Sequence, residues 1–135
     1  MDPKVERSAK IISAFVLPRQ RARYFGFITG KTDLDKFASR LAHFDDFDPR
    51  FIVSVPNSKH TATGIEEALR RLGAPSRCFL LSENTPLNGT EGDLHSVLET
   101  VIGYGYGSII CCLPGRLAFF EGEGPSDRYI LSRTS

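Results

Sequence analysis

The sequence predicts an α/β fold, with helices packed on a mixed sheet and a C-terminal antiparallel hairpin or meander. Short β-branched runs alternate with segments of helical period. Pro114-Gly115 divides the last long apolar stretch into two strand-length halves. At 135 residues the chain suits one core, so residues 1–135 are read as a single α/β domain.

Residues 10–17, rich in Ile, Phe and Val and stopped by Pro18, read as a short strand. From Pro18 the period becomes helical. Ala22, Phe25 and Ile28 share a face from which Arg19, Arg21 and Arg23 turn away, and Gly30 closes a short basic helix. Thr32 stands three residues before Asp35 in a capping-box arrangement. Leu34, Phe37, Leu41 and Phe44 then recur at helical intervals, giving a second helix that ends near residues 45–49. Residues 51–55 (Phe-Ile-Val-Ser-Val), closed by Pro56, read as a buried strand.

Thr63 with Glu66 marks the next helix start, followed by a stripe of Ile65, Ala68, Leu69 and Leu72 and by Gly73 at the left-handed cap. Residues 78–81 form another short apolar run. Leu94, Val97, Leu98, Val101 and Ile102 line a third capped helix from near Thr90 to Gly103. Residues 108–113 and 116–121 make a hairpin about Pro114-Gly115, and residues 128–132 add a third antiparallel strand. The strands near Phe51, Cys78 and Ile109 are separated by helices, so they are expected as parallel neighbours joined by right-handed crossovers. No internal repeat or low-complexity linker divides the chain.

The formal net charge is +1, which drives the molecule onto neither nucleic acid nor anionic lipid. Residues 1–31 carry seven basic and two acidic side chains, a net +5, leaving −4 for the remainder. Three cysteines, Cys78, Cys111 and Cys112, show no disulfide framework and no zinc spacing, so they read as reduced, buried thiols. Residues 11–17 are too short an apolar stretch, without a small-residue cleavage pattern, to read as a secretory signal, and a cytoplasmic location is expected. Residues 101–120 are apolar, but four glycines, Pro114 and Arg116 suit a hairpin better than a membrane span, so no membrane contact is expected.

Ligands of open α/β sheets sit beyond the carboxyl ends of the strands. Two loops are candidates. The first runs through Asn57, Ser58, Lys59, His60, Thr61 and Thr63, offering hydroxyls, a cation and a helix N-terminus to an anion. The second contains Ser82, Glu83 and Asn84. Asn57, Ser58, Lys59, Thr61, Thr63, Ser82 and Asn84 are the candidate ligand-binding residues, and His60 with Glu83 is the candidate acid–base pair. Thr61 and Thr63 are equally good helix caps, and the loop lacks the Gly-Lys-Ser/Thr ending of a phosphate loop.

The glycines of residues 103–107 follow a helix and precede a strand, the reverse of a dinucleotide-binding loop. His43, Asp45, Asp46 and Asp48 straddle a helix end where side chains diverge, which favours a solvated acidic turn over a metal site. No metal and no cofactor is expected. The leading functional expectation is a small binding or regulatory module with a site for a small anionic ligand or a protein partner, possible as a homodimer or other homo-oligomer. A small hydrolase or transferase acting on a phosphorylated or carboxylated metabolite through His60 and Glu83 is the alternative. A nucleic-acid-associated module using the basic N-terminal helix is the second alternative, and nucleic acid is the least favoured partner.

Overall fold

The computed structural model describes residues 2–29, 36–55, 60–124 and 127–133. Helices α1 (Pro3–Phe15), α2 (Arg21–Thr29), α3 (Ala62–Arg71) and α4 (Leu94–Val101) pack on a six-stranded sheet. Its strands are β1 (Ile52–Ser54), β2 (Arg77–Ser82), β3 (Thr90–Asp93), β4 (Ser108–Leu113), β5 (Leu117–Glu121) and β6 (Arg128–Ser132). They lie in the order β1-β6-β5-β4-β2-β3. The expected C-terminal meander is β4-β5-β6, and its first turn places Gly115 at φ +72°, the left-handed conformation that glycine accommodates.

Every strand pairing in this order is antiparallel, so the sheet is not mixed. Strands β1 and β2 do point the same way, with α3 crossing between them, but the meander lies between the two. Strand β4 meets β2 antiparallel because β3 first folds back on β2 and α4 then returns the chain to the opposite end.

Alternate side chains of the central strands enter two cores. Phe79, Leu81, Ile109, Cys111, Ala118, Phe120 and Leu131 join Ile11, Ile12, Phe15, Tyr24, Ile28, Phe37, Leu41, Phe44 and Phe47 on one face. Cys78, Leu80, Ile110, Cys112, Leu117, Phe119 and Ile130 join residues of α3 and α4 on the other. The result is three layers, with helices on both sides of the sheet.

Several element expectations change. Residues 10–15 belong to α1, not to a strand: Asp2 caps its start by accepting from the Lys4 amide at 2.8 Å, Pro3 opens it, and Ser8, Ile11, Ile12 and Phe15 recur on the buried side. In α2 the buried residues are Tyr24 and Ile28, while Phe25 is half-buried and Ala22 exposed. Thr32, Leu34 and Asp35 lie outside the described residues, and the part of the second expected helix that is described is a 3₁₀ segment, Ala38–His43. Strand β1 is an edge strand, half-buried to exposed, so it is not the buried strand expected. Asp93, not Thr90, caps α4, because residues 90–93 pair with β2. Among the described residues, no helix is long and apolar enough to cross a membrane.

Candidate functional site

The 3₁₀ segment Ala38–His43 lies across the carboxyl end of β2 and closes a cleft there. Its seat is set by Ala42. The Ala42 N–H donates to Glu83 Oε2 at 3.2 Å and the Ala42 carbonyl accepts from the Glu123 N–H at 3.1 Å. Gly107 makes this approach possible: a Cβ there would stand 2.1 Å from the Ala42 nitrogen. Its own N–H donates to Glu83 Oε1 at 2.9 Å. Both carboxylate oxygens of Glu83 are thus engaged by backbone donors, which fix the strand end and the 3₁₀ segment together.

The cleft, about 350 Å³, is lined by Arg23, Tyr24, Ser39, Arg40, His43, Phe44, Asp45, Asp46 and Glu83. Its inner wall is aromatic, with Tyr24 and Phe44 ring centroids 5.0 Å apart and Phe44 packed in turn against Phe47 at 4.5 Å with the planes tilted by 50°. The Tyr24 hydroxyl donates to Asp46 Oδ2. Burial, reinforced by that carboxylate, pushes the Tyr24 phenol up to about 12, so the proton stays on the ring oxygen at neutral pH.

Cations gather at the rim. Arg40 lies 4.7 Å and Lys36 4.6 Å from the centroid of the Phe27 ring, and Arg23 lies over Tyr24 and Phe27 at 5.6 and 5.8 Å. Among the described residues, Arg23 and Arg40 have no carboxylate within salt-bridge distance. His43 pairs with Glu123 at 3.1 Å, both largely exposed. Asp45 is exposed at the same rim.

The acidic turn expected at residues 43–48 is dispersed. His43 faces Glu123, Asp46 holds Tyr24, and Asp48 is buried against Arg50 at 2.6 Å, which holds the Asp48 carboxyl below the usual carboxylate range. Among the described residues no group of three or more His, Cys, Asp and Glu side chains is placed to hold a metal ion.

Asn57, Ser58 and Lys59 lie outside the described residues. Thr61 caps α3, accepting from the Gly64 N–H at 3.0 Å, and Thr63 is exposed in its first turn. Ser82 is buried, and its hydroxyl oxygen accepts from the Asn84 N–H at 3.0 Å and from the Ser108 hydroxyl at 2.9 Å. Asn84 is half-buried, and the nearby Tyr106 hydroxyl donates to the Thr100 carbonyl.

His60 and Glu83 are not brought together. His60 Nδ1 faces Arg128 Nη1 at 3.3 Å; because a guanidinium has only donors, Nδ1 accepts and Nε2 donates to the Val55 carbonyl at 3.0 Å. Arg128 shares a sheet face with Ile130 in the α3–α4 core, whereas Glu83 turns to the opposite face and grips Ala42. The structure therefore offers no His60–Glu83 proton relay.

Sequence reasoning placed Arg23 on the basic helix offered to nucleic acid but did not join it to Arg40, nor did it single out Glu121 and Arg128 as a buried pair. Arg128 donates from Nε to Glu121 Oε1 at 2.5 Å and from Nη2 to Oε2 at 2.9 Å, and the Gly103 N–H adds a bond to Oε2 at 2.8 Å. The pair continues a polar row across the sheet end, Ser82–Ser108–Glu121–Arg128, whose members lie opposite one another on successive strands. The signal for the pair was its placement at two facing strand ends, legible only once the register is known. No protein-family model, no curated protein and no solved structure matches this chain.

Proposed function

We propose that the chain is a binding or regulatory module that holds a small carboxylate-bearing ligand in the cleft at the carboxyl end of β2. The observation that carries this reading is the unequal engagement of the charges around the cleft. Asp46 and Glu83 are occupied by the Tyr24 hydroxyl and by the amides of Ala42 and Gly107, while Arg23 and Arg40 rest on aromatic rings without carboxylate partners among the described residues. A guanidinium so placed is free to take a planar anion through paired N–H donors.

The remaining walls narrow the ligand. Tyr24 and Phe44 offer apolar ring surface, and Asp45 repels a second negative charge. One anionic group on a compact apolar body fits this arrangement better than a dianion. The cleft volume falls near the lower end of small-molecule sites.

Calorimetric titration with benzoate, succinate and inorganic phosphate tests the reading. Benzoate is expected to bind most tightly. Arg40→Ala is expected to cost about 1.5 kcal/mol, roughly tenfold in Kd, with Arg23→Ala acting in the same direction. Absence of binding by all three probes, or benzoate binding unchanged in both variants, would overturn it. Tighter, steeply salt-dependent binding of a single-stranded oligonucleotide would move the assignment to a polyanion.

A further inference from the structure

We propose that Cys78 and Cys112 are a peroxide-oxidisable dithiol that closes into a disulfide across β2 and β4, in a cleft separate from the carboxylate site. The β2–β4 register runs from Ser82 opposite Ser108 to Phe79 opposite Cys111, and continued by one position beyond that last pair it sets Cys78 opposite Cys112. The Glu83 N–H donates to the Gly107 carbonyl, which makes 83/107 a hydrogen-bonded pair; counting back in twos, 81/109 and 79/111 are of the same kind. The Cys78–Cys112 position is therefore a non-hydrogen-bonded one. There the two Cα atoms approach to about 4.5 Å and the side chains lie closest, inside the range of about 4.4–6.8 Å that a disulfide spans.

Orientation and access agree with this. Both side chains enter the core beneath α3 and α4, whereas Cys111 enters the opposite core and would have to bond through the sheet. Cys112 also lies at the register shift between β4 and β5, where an extra residue loosens the ladder. All three cysteines line a cleft of about 120 Å³ together with Arg7, Arg77, Phe79, Glu91 and Pro114, so access is common to them and it is orientation that selects Cys78 and Cys112. A space of that size admits an oxidant as small as hydrogen peroxide.

The chemistry balances with one peroxide. The Cys78 sulfur, as thiolate, attacks a peroxide oxygen; the O–O bond breaks, hydroxide leaves and takes up the thiol proton as water, and Cys78 becomes a sulfenic acid. The Cys112 sulfur then attacks Cys78 Sγ, the S–O bond breaks, and a second water carries away the remaining proton. Two thiols have lost two electrons to the peroxide. Burial pushes the Cys78 thiol up to about 11, with Arg77 working against the rise, and raises Cys112 as well, so closure is expected to be slow at neutral pH and to quicken as pH rises.

The test is hydrogen peroxide treatment of the folded wild-type chain, read by intact mass and by a non-reducing peptide map. The expected product has lost about two hydrogens and carries a Cys78–Cys112 bond within one chain. Below the thiol range, each pH unit is expected to speed closure about tenfold, because the thiolate fraction grows tenfold. Cys111→Ser is expected to close as the wild type does, and Cys78→Ser and Cys112→Ser to form no internal bond. The wild-type map decides the matter whether or not those variants fold. Three intact thiols after treatment, a bond through Cys111, a bond between chains, or oxygen added without a cross-link would overturn the proposal.

Discussion

Arg128 and Glu121 are the ion pair whose side chains are both almost wholly buried among the described residues, at 7% and 3% exposure. Such a pair returns its desolvation cost only while both members and their remaining hydrogen bonds are present. Here the Gly103 amide and His60 complete the set. Arg128→Met or Glu121→Gln is therefore expected to lower stability by about 3–5 kcal/mol, read as a lower denaturant midpoint, because each leaves a buried group without its partner. The double variant is expected to lose less than the sum of the single losses. His60 joins this network through Nδ1 while its Nε2 donates to the Val55 carbonyl, so both ring nitrogens are engaged within the fold.

Among the elements, the 3₁₀ segment Ala38–His43 decides whether the cleft exists. Gly107→Ala would drive a Cβ into the Ala42 backbone, which cannot yield as the end of a flexible side chain can. A loss of about 1–3 kcal/mol is expected, as for an overpacked core. Benzoate binding should weaken in the same variant, since the segment that carries Ser39, Arg40 and His43 is displaced. Melting temperature and calorimetric titration together measure both effects.

The helices α3 and α4 and the meander were legible because their apolar spacing and the Pro-Gly turn point the same way, although the two helices are capped by Thr61 and Asp93 and not at the expected Thr63 and Thr90. Helix α1 was not. Its Asp2-Pro3 start is a proper cap, but the β-branched run at its far end carried the reading toward strand. Strand β3 was hidden for a different reason: Thr-Glu-Gly-Asp has no apolar alternation and pairs only because the turn at residues 83–89 folds it onto β2. Of the candidate site, Glu83 was named from its place at a strand end, as an acid–base group and not as the acceptor that ties Ala42 to Gly107. Arg23 and Arg40 come from different elements and meet only through tertiary packing around Phe27.

For the whole molecule, the misread strand direction has one cause. The strands near Phe51, Cys78 and Ile109 were expected to be parallel neighbours because helices separate them, but other strands intervene: β3 reverses the chain between β2 and β4, and the meander lies between β1 and β2. Acid sensitivity is also distributed over the molecule. Asp48 is held low first by its hydrogen bond to Arg50, and Glu66 first by its bond to Arg70 and also by that to His95 across the α3–α4 contact. A carboxyl with a lowered folded value contributes stability that is present above its ordinary range and lost as pH falls through the lowered value. The melting temperature is expected to fall as pH drops below about 4, and Asp48→Asn is expected to flatten that decline.

The account turns on the cleft that the 3₁₀ segment closes over the end of β2. Amide chemical-shift mapping of the labelled chain during a benzoate titration addresses it most directly. The largest changes are expected at Tyr24 and along residues 39–46, growing together along one saturating curve. Changes that are absent, or that concentrate at the start of α3 around His60 and Thr61, would contradict it.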